Sequence, residues 1–253
     1  MPAASVDKLQ RLEALRAEVA ALEHELGVSR PTYGYTRDET YAMALPRGEE
    51  PYYLLPTEER DAPAPVEGPL EGVTVIDLTR ILAGPHCTKM LMDMGARIIK
   101  VEHPDPTGVA SGDTRPSPEY FAATSHGKES VAIDLKDEAG KAQLHALLAS
   151  ADAIIENYRP GVMTRLGFGW EALHERYPRL VMCSISGFGQ TGPASMRPAM
   201  DTVAQALSGL MSITGVVENE PHGHGANSAD VISGVHGALG VVAALYSRDR
   251  DGQ

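Results

Sequence analysis

Asp201 opens the segment D-T-V-A-Q-A-L-S-G-L-M-S-I-T-G, and Asp230 opens D-V-I-S-G-V-H-G-A-L-G-V-V-A-A-L-Y; both have helical character. An aspartate at such a position accepts the unpaired backbone N–H groups of the first turn, so each is expected to cap its own helix. The positive end of a helix favours charged carboxylate, so both are expected to stay ionised. A fixed, ionised carboxylate has a second use, attack on an acyl carbon. From the residues alone, capping and attack both stand.

Other chemistry is weaker. Gly187-Phe-Gly189-Gln-Thr-Gly192 has the glycine spacing of a dinucleotide loop and follows a strand pattern. Pro193 and Pro198 break the helix that should follow, and no acidic residue stands near Ser212 to hold a ribose. His222-Gly-His224, with Glu218 and Glu220 nearby, reads as a polar loop, and no metal site is expected because the helical histidine spacing of hydrolytic metal sites is missing. There is no nucleophile elbow of the G-x-S-x-G kind and no Walker-type phosphate loop. Cys87 and Cys183 are isolated in sequence, which suits buried thiols in a reducing compartment. A net charge of −12 argues against general binding to nucleic acid or anionic membrane, though not against an anionic ligand in a local basic pocket. No apolar run reads as a membrane span and no cleavable leader is visible, so the expected location is cytoplasmic.

The elements that must position the aspartates begin at Leu70. Val73–Leu78, Arg97–Glu102, Ser130–Asp134, Ala153–Asn157 and Arg179–Ser186 read as buried strands, rich in β-branched residues. Helical patterns lie between them at His86–Met94, Asp137–Ser150, Gly161–Leu166 and Trp170–Arg176. Alternation of this kind predicts an α/β fold with a doubly wound parallel sheet, whose ligands bind at the carboxyl ends of the strands. Before it, residues 1–28 are expected to form an amphipathic helix with Leu9, Leu12, Leu15, Val19, Leu22 and Leu26 on one face. Residues 29–69, rich in Pro, Glu, Tyr and Arg, read as an extended linker or arm, and residues 70–253 as the large domain.

Several strand-end blocks together resemble the family III CoA-transferases, a group that includes formyl-CoA transferase, carnitine CoA-transferase and α-methylacyl-CoA racemase. They are G-V-T-V-I-D-L-T-R-I-L-A-G-P (72–85), L-M-D-M-G-A-R-I-I-K-V-E (91–102), G-K-E-S-V-A-I-D-L-K (127–136), E-N-Y-R-P-G-V-M-T-R-L-G (156–167), S-I-S-G-F-G-Q-T-G-P (184–193) and A-Q-A-L-S-G-L-M-S-I-T-G (204–215). The resemblance implies a Rossmann-like large domain that transfers coenzyme A between an acyl-CoA thioester and a carboxylic acid, with no permanently bound cofactor. It implies that Asp230 is the nucleophile, forming a mixed anhydride while CoA thiolate leaves and then exchanges places with the acceptor carboxylate. Asp201 matches an acidic position lining the family's active site. Ile81, Ala83, Asn157, Tyr158 and Arg165 match its CoA contacts, Arg165 suiting a phosphate through its guanidinium fork. Backbone at Ser233 and Gly234 is the expected oxyanion support.

Departures from the family pattern narrow this reading. Met200 stands where the racemases carry a histidine, and a thioether takes no proton, so transfer is expected over racemisation or isomerisation. Leu82 and His103 replace the glutamine and arginine of formyl-CoA transferase, which counts against formyl and oxalyl specificity. For Arg80, Lys100 and Arg159, a solvated surface charge and a part in CoA binding both stand. The family's chains are longer, carry a second small domain and form interlocked dimers. The expectation is therefore a homodimer, or a complementary chain that supplies the rest, with this chain weakly active or inactive alone. A non-catalytic CoA-binding fragment is the remaining alternative.

Overall fold

The computed structural model describes residues 68–104, 118–215 and 220–251; the expected N-terminal helix and nearly all of the arm lie outside them. The order is β1 (Thr74–Asp77), α1 (Ala83–Asp93), β2 (Arg97–Glu102), α2 (Pro118–Ser125), β3 (Glu129–Ala132), α3 (Glu138–Leu148) and β4 (Ala153–Glu156). It continues with α4 (Val162–Leu166), α5 (Trp170–Arg176), β5 (Val181–Ser184), α6 (Asp201–Leu207), a 3₁₀ turn at Leu210–Ile213 and α7 (Ser228–Asp251). The five strands among the described residues are all parallel, in the order β3-β2-β1-β4-β5. The winding therefore reverses between β1 and β4, and their carboxyl ends form the crevice where ligands of such sheets bind.

Alternation along each strand divides the core. Ile76, Ile99 and Ile154 face one side, where they pack with Leu144, Leu148, Met163, Phe168 and Leu173 of the α3–α5 region. Val75, Ile98, Ala153 and Ile155 face the other, against Cys87 and Leu91 of α1 and Ala238, Val241 and Leu245 of α7. Neighbouring residues point to opposite faces and both faces are covered, so the strands read as unbroken apolar runs.

Asp77, at the end of β1, is fully buried and collects four donors. Its Oδ1 accepts the Thr79 N–H at 2.8 Å and the Thr79 hydroxyl at 2.5 Å. Its Oδ2 accepts the Thr88 hydroxyl at 2.7 Å and Lys128 Nζ at 3.0 Å. Lys128 is itself 1% exposed and also donates to Pro85 O and Thr88 Oγ1. Lys100, for which a solvated surface place was one reading, is buried instead; its Nζ donates to Thr79 O at 2.8 Å and lies 4.0 Å from Asp77. Burial alone would raise the Asp77 pKa, but Lys100, Lys128 and the two hydroxyls outweigh it and hold it at about 2. A buried charge is tolerable only with such partners.

Four further findings add to or correct the sequence expectations. Helix α2 has no counterpart among the predicted elements. The pattern opening at Asp201 does not continue as one helix: α6 ends at Leu207 and Gly209, at φ +82°, turns the chain into the 3₁₀ turn. The two cysteines meet, Cys87 hydrogen-bonding to Cys183, and that bond with burial pushes the Cys87 thiol up. Finally, α7 is long and apolar enough by length and composition to cross a membrane. Its inner stripe is nonetheless buried in the core, and Arg248 near its end pairs with Asp152 at 3.0 Å.

Held at a pKa of about 2, below the ordinary carboxylate range, Asp77 gives a stabilisation that is present above pH 4 and lost as pH falls towards 2. The loss amounts to about 2–3 kcal/mol. Asp77→Asn should erase this acid-dependent loss and strand the Lys128 ammonium, lowering stability near neutral pH by about 3–5 kcal/mol. Urea unfolding of both proteins between pH 2 and 7 checks it.

Candidate active site

The site starts from how closely α7 lies on α1. A Cβ added at Gly234 would come within 2.6 Å of the Ala83 carbonyl oxygen and 3.1 Å of His86, and one at Gly237 within 3.2 Å of Cys87 Sγ. Successive glycines of α7 thus meet successive turns of α1, so the two helices run in the same direction. At the far end of α7, Arg248 donates to Arg179 O, just before β5, and pairs with Asp152, just before β4. The helix therefore starts at the carboxyl edge of the sheet. Asp230 lies one turn ahead of Gly234 on the inner stripe, about 6 Å nearer that edge. This sets the half-buried carboxylate level with the loop joining β1 to α1.

Neither aspartate caps its own helix. Asp201 is the first residue of α6, after Met200, and no side chain caps that helix. Its Oδ1 instead accepts the N–H groups of Ala229 at 2.8 Å and Asp230 at 3.1 Å, two of the unpaired donors in the first turn of α7. The Val231 N–H is taken by Asn227 O at 3.1 Å. Asp230 stands within that first turn, and its pKa is raised rather than lowered: burial removes water from the carboxylate and the Asp201 charge repels it. A carboxylate so placed is more basic, and a stronger nucleophile once ionised, than one in water.

The loop between β1 and α1 is held from three sides. Asp77 binds the Thr79 N–H, Lys100 binds Thr79 O, and Asn157 at the end of β4 clamps Arg80. The Asn157 carboxamide accepts the Arg80 N–H and donates to Arg80 O, both at 2.7 Å. Ile81, next in line, sits at φ +66°, a conformation that costs a β-branched side chain about 1–2 kcal/mol. The surrounding bonds enforce it.

Of the expected CoA contacts, Ile81 and Ala83 thus border the start of α7, while Asn157 and Tyr158 lie across the β1/β4 crevice. Asn157 is engaged in the loop clamp; Tyr158 carries the Arg80 guanidinium 5.2 Å above its ring. Arg165, exposed at the end of α4, reaches over Gly161. Beside these, a cavity of about 560 Å³ is lined by Arg159, Thr164, Trp170, Ser184 and Gln190 among others. Buried Glu156 borders it too, its pKa raised by burial against the pull of hydrogen bonds from Ser184 and the Tyr158 N–H. The oxyanion expectation fails at Ser233 and Gly234. Both lie inside α7, where each N–H belongs to the helix's own ladder, and Gly234 serves close packing instead. The glycine motif at 187–192 forms a turn with no helix behind it. His224 Nδ1 lies 2.5 Å from Ser228 Oγ.

Sequence reasoning missed Gln205, Lys128 and Asp77. Gln205 carried a signal, since it stands one helical turn after Asp201.

A sequence profile of CoA-transferase family III matches residues 70–253. An acetyl-CoA:oxalate CoA-transferase of Acetobacter aceti is 45% identical over 76% of this chain and 50% of its own length. The mouse succinyl-CoA:glutarate CoA-transferase is 40% identical over 73% of this chain and 43% of its own. A solved CaiB/BaiF family protein of Brucella suis superposes with a TM-score of 0.69 at 36% identity, over 74% of this chain and 51% of that one. The chain spans about half the length of the curated relatives it matches.

Two glycines of α7 separate packing from propensity. Gly234→Ala should lower stability by about 1–3 kcal/mol, because its methyl meets a backbone carbonyl that cannot yield. Gly240→Ala, with nothing within 4 Å, should raise it by about 0.5–1 kcal/mol. Thermal melts of the two variants check the difference in sign.

Proposed function

The chain belongs to CoA-transferase family III, and from that premise and the placement of Asp230 we propose that it carries the acyl-transferring half of an acyl-CoA:carboxylate CoA-transferase. One observation carries the reading: a half-buried carboxylate stands in the first turn of α7 at the carboxyl edge of the sheet, its backbone held by Asp201 and its pKa raised. In the proposed reaction Asp230 attacks the thioester carbonyl and releases CoA thiolate. The thiolate then attacks the aspartyl carbonyl of the mixed anhydride and frees the donor acid. The acceptor carboxylate next attacks the aspartyl thioester, and the released thiolate takes the acceptor's acyl group, restoring Asp230. CoA would lie along the β1/β4 crevice, past Ile81 and Tyr158 and towards Arg165.

The two curated relatives name oxalate and glutarate, both dicarboxylates, and we assign the acceptor here to that class. The departures at Leu82 and His103 weigh against formyl and oxalyl specificity, which sets the acceptor among dicarboxylates longer than oxalate; His103 Nε2 lies 3.7 Å from Asp134 Oδ2. Met200, 65% exposed, offers no second base, which supports transfer over racemisation. The outer face of α7 presents Val231, Ile232, Val235, Leu239 and Tyr246 to solvent. Such a stripe supports cover by protein, either a second copy or a complementary chain that completes the fold.

Incubation with acyl-CoA and hydroxylamine should convert Asp230 to its hydroxamate, seen by mass spectrometry of its peptide. Asp230→Asn should lose that product and lower transfer by about a thousandfold or more. Transfer that continues undiminished in Asp230→Asn would sink the reading.

A further inference from the structure

The carboxamide of Gln205 is 2% exposed and every hydrogen-bonding group on it is used. Its Nε2 donates to Asp201 Oδ2 at 2.5 Å and to Ala226 O at 3.2 Å, and its Oε1 accepts the His224 N–H at 2.8 Å. The other oxygen of Asp201 holds the Ala229 and Asp230 N–H groups. An unbroken chain of hydrogen bonds thus runs from the segment preceding α7, through Gln205 and Asp201, to the backbone of Asp230. Resting on the acyl-transfer reading above, we propose that Gln205 is a positioning residue: it fixes the Asp201 carboxylate, which in turn fixes the backbone and the charge surroundings of Asp230.

The residue type fits the task. Asp201 needs a donor on Oδ2 if Oδ1 is to stay aimed at α7, and the segment at 224–226 offers one donor and one acceptor. A neutral carboxamide meets all three and holds its two donors and one acceptor at every pH, whereas a glutamate would set a second charge against Asp201. Without the Gln205 donor, the Asp201 carboxylate is free to turn towards water. Asp230 would then lose both its backbone anchor and the nearby negative charge. Among the described residues, the titratable groups on the elements around Asp230 include Asp201 on α6, His86 on α1, and Glu220, His222 and His224 in the preceding segment; of these, Asp201 accepts the Asp230 N–H.

The test is the titration of the Asp230 carboxyl followed by NMR in the full chain. Asp201→Asn keeps an acceptor for the two N–H groups but removes the charge, so Asp230 should titrate lower. Gln205→Met, of equal length without donors, should also move it lower, and should add nothing in the Asp201→Asn background. A Gln205→Met that leaves Asp230 unmoved, or shifts it equally in both backgrounds, overturns the proposal. The unmodified chain gives an independent check. The Ala229 and Asp230 amides should exchange about 10- to 100-fold slower than open-chain amides, as bonds to a charged acceptor require, and exchange at open-chain rates overturns it. In the assembly that turns over, Gln205→Met should lower kcat about tenfold or more with the KM for acyl-CoA unchanged, and an unchanged kcat counts against it. Failure to trap an acyl-aspartate in the unmodified protein would count against the transfer reading instead, while the titrations would still decide the role of Gln205.

Discussion

The contact on which the rest of the site depends is the bare approach of α7 to α1 at Gly234. With only a hydrogen where other residues carry Cβ, the axis of α7 comes close enough to lean on the Ala83 carbonyl, and Gly237 repeats the approach one turn on. That seating sets the height of a 24-residue helix against the sheet. Asp230 arrives at the carboxyl edge at one end, and Arg248 reaches Asp152 and Arg179 at the other. Any side chain at 234 would have to lift the helix and carry the carboxylate away from the crevice.

The platform that receives α7 is stiffened by charge rather than by apolar packing. Asp77, Lys128 and Lys100 bind the start of α1 and the loop before it through Pro85 O, Thr88 and Thr79. Together with the Asn157 clamp on Arg80, they hold Ile81 in a left-handed conformation that it would otherwise leave. Burying three ionised groups is unfavourable for an isolated ion, and here the pairing is close enough to keep Asp77 charged. Rigidity at this loop would serve the proposed transfer chemistry, in which the thioester carbon has to meet a carboxylate on a different helix. Asp201, from a third element, completes the frame.

Much of this was legible in the sequence. The β-branched runs at Val73–Leu78, Arg97–Glu102 and Ala153–Asn157 announced buried parallel strands because both of their faces are covered. Their ends pointed to the crevice residues Ile81 and Asn157. What stayed hidden depends on partners distant in sequence. Asp201 looked like a local cap because its neighbours form a helix, yet its partners are 28 and 29 positions on. The same fold that brings those N–H groups to it also raises the Asp230 pKa, reversing the direction that the helix end alone suggested. Ser233 and Gly234 looked like a place for backbone donors, and glycine's small size does matter there, but for helix packing. Lys100 could pass for solvated because a strand residue with a long charged side chain commonly is; only the register of β1 with β2 reveals Asp77 beside it.

The central claim is that the acyl group passes through the Asp230 carboxylate. If it does, each completed transfer leaves one oxygen of the acceptor acid on that side chain, because the acceptor's oxygen bridges the second anhydride before CoA thiolate removes the acyl group. Transfer run with an acceptor carboxylate labelled with oxygen-18, followed by mass spectrometry of the peptides, tests this directly. The account predicts label on Asp230 and none on Asp201; CoA transfer that leaves Asp230 unlabelled would contradict it.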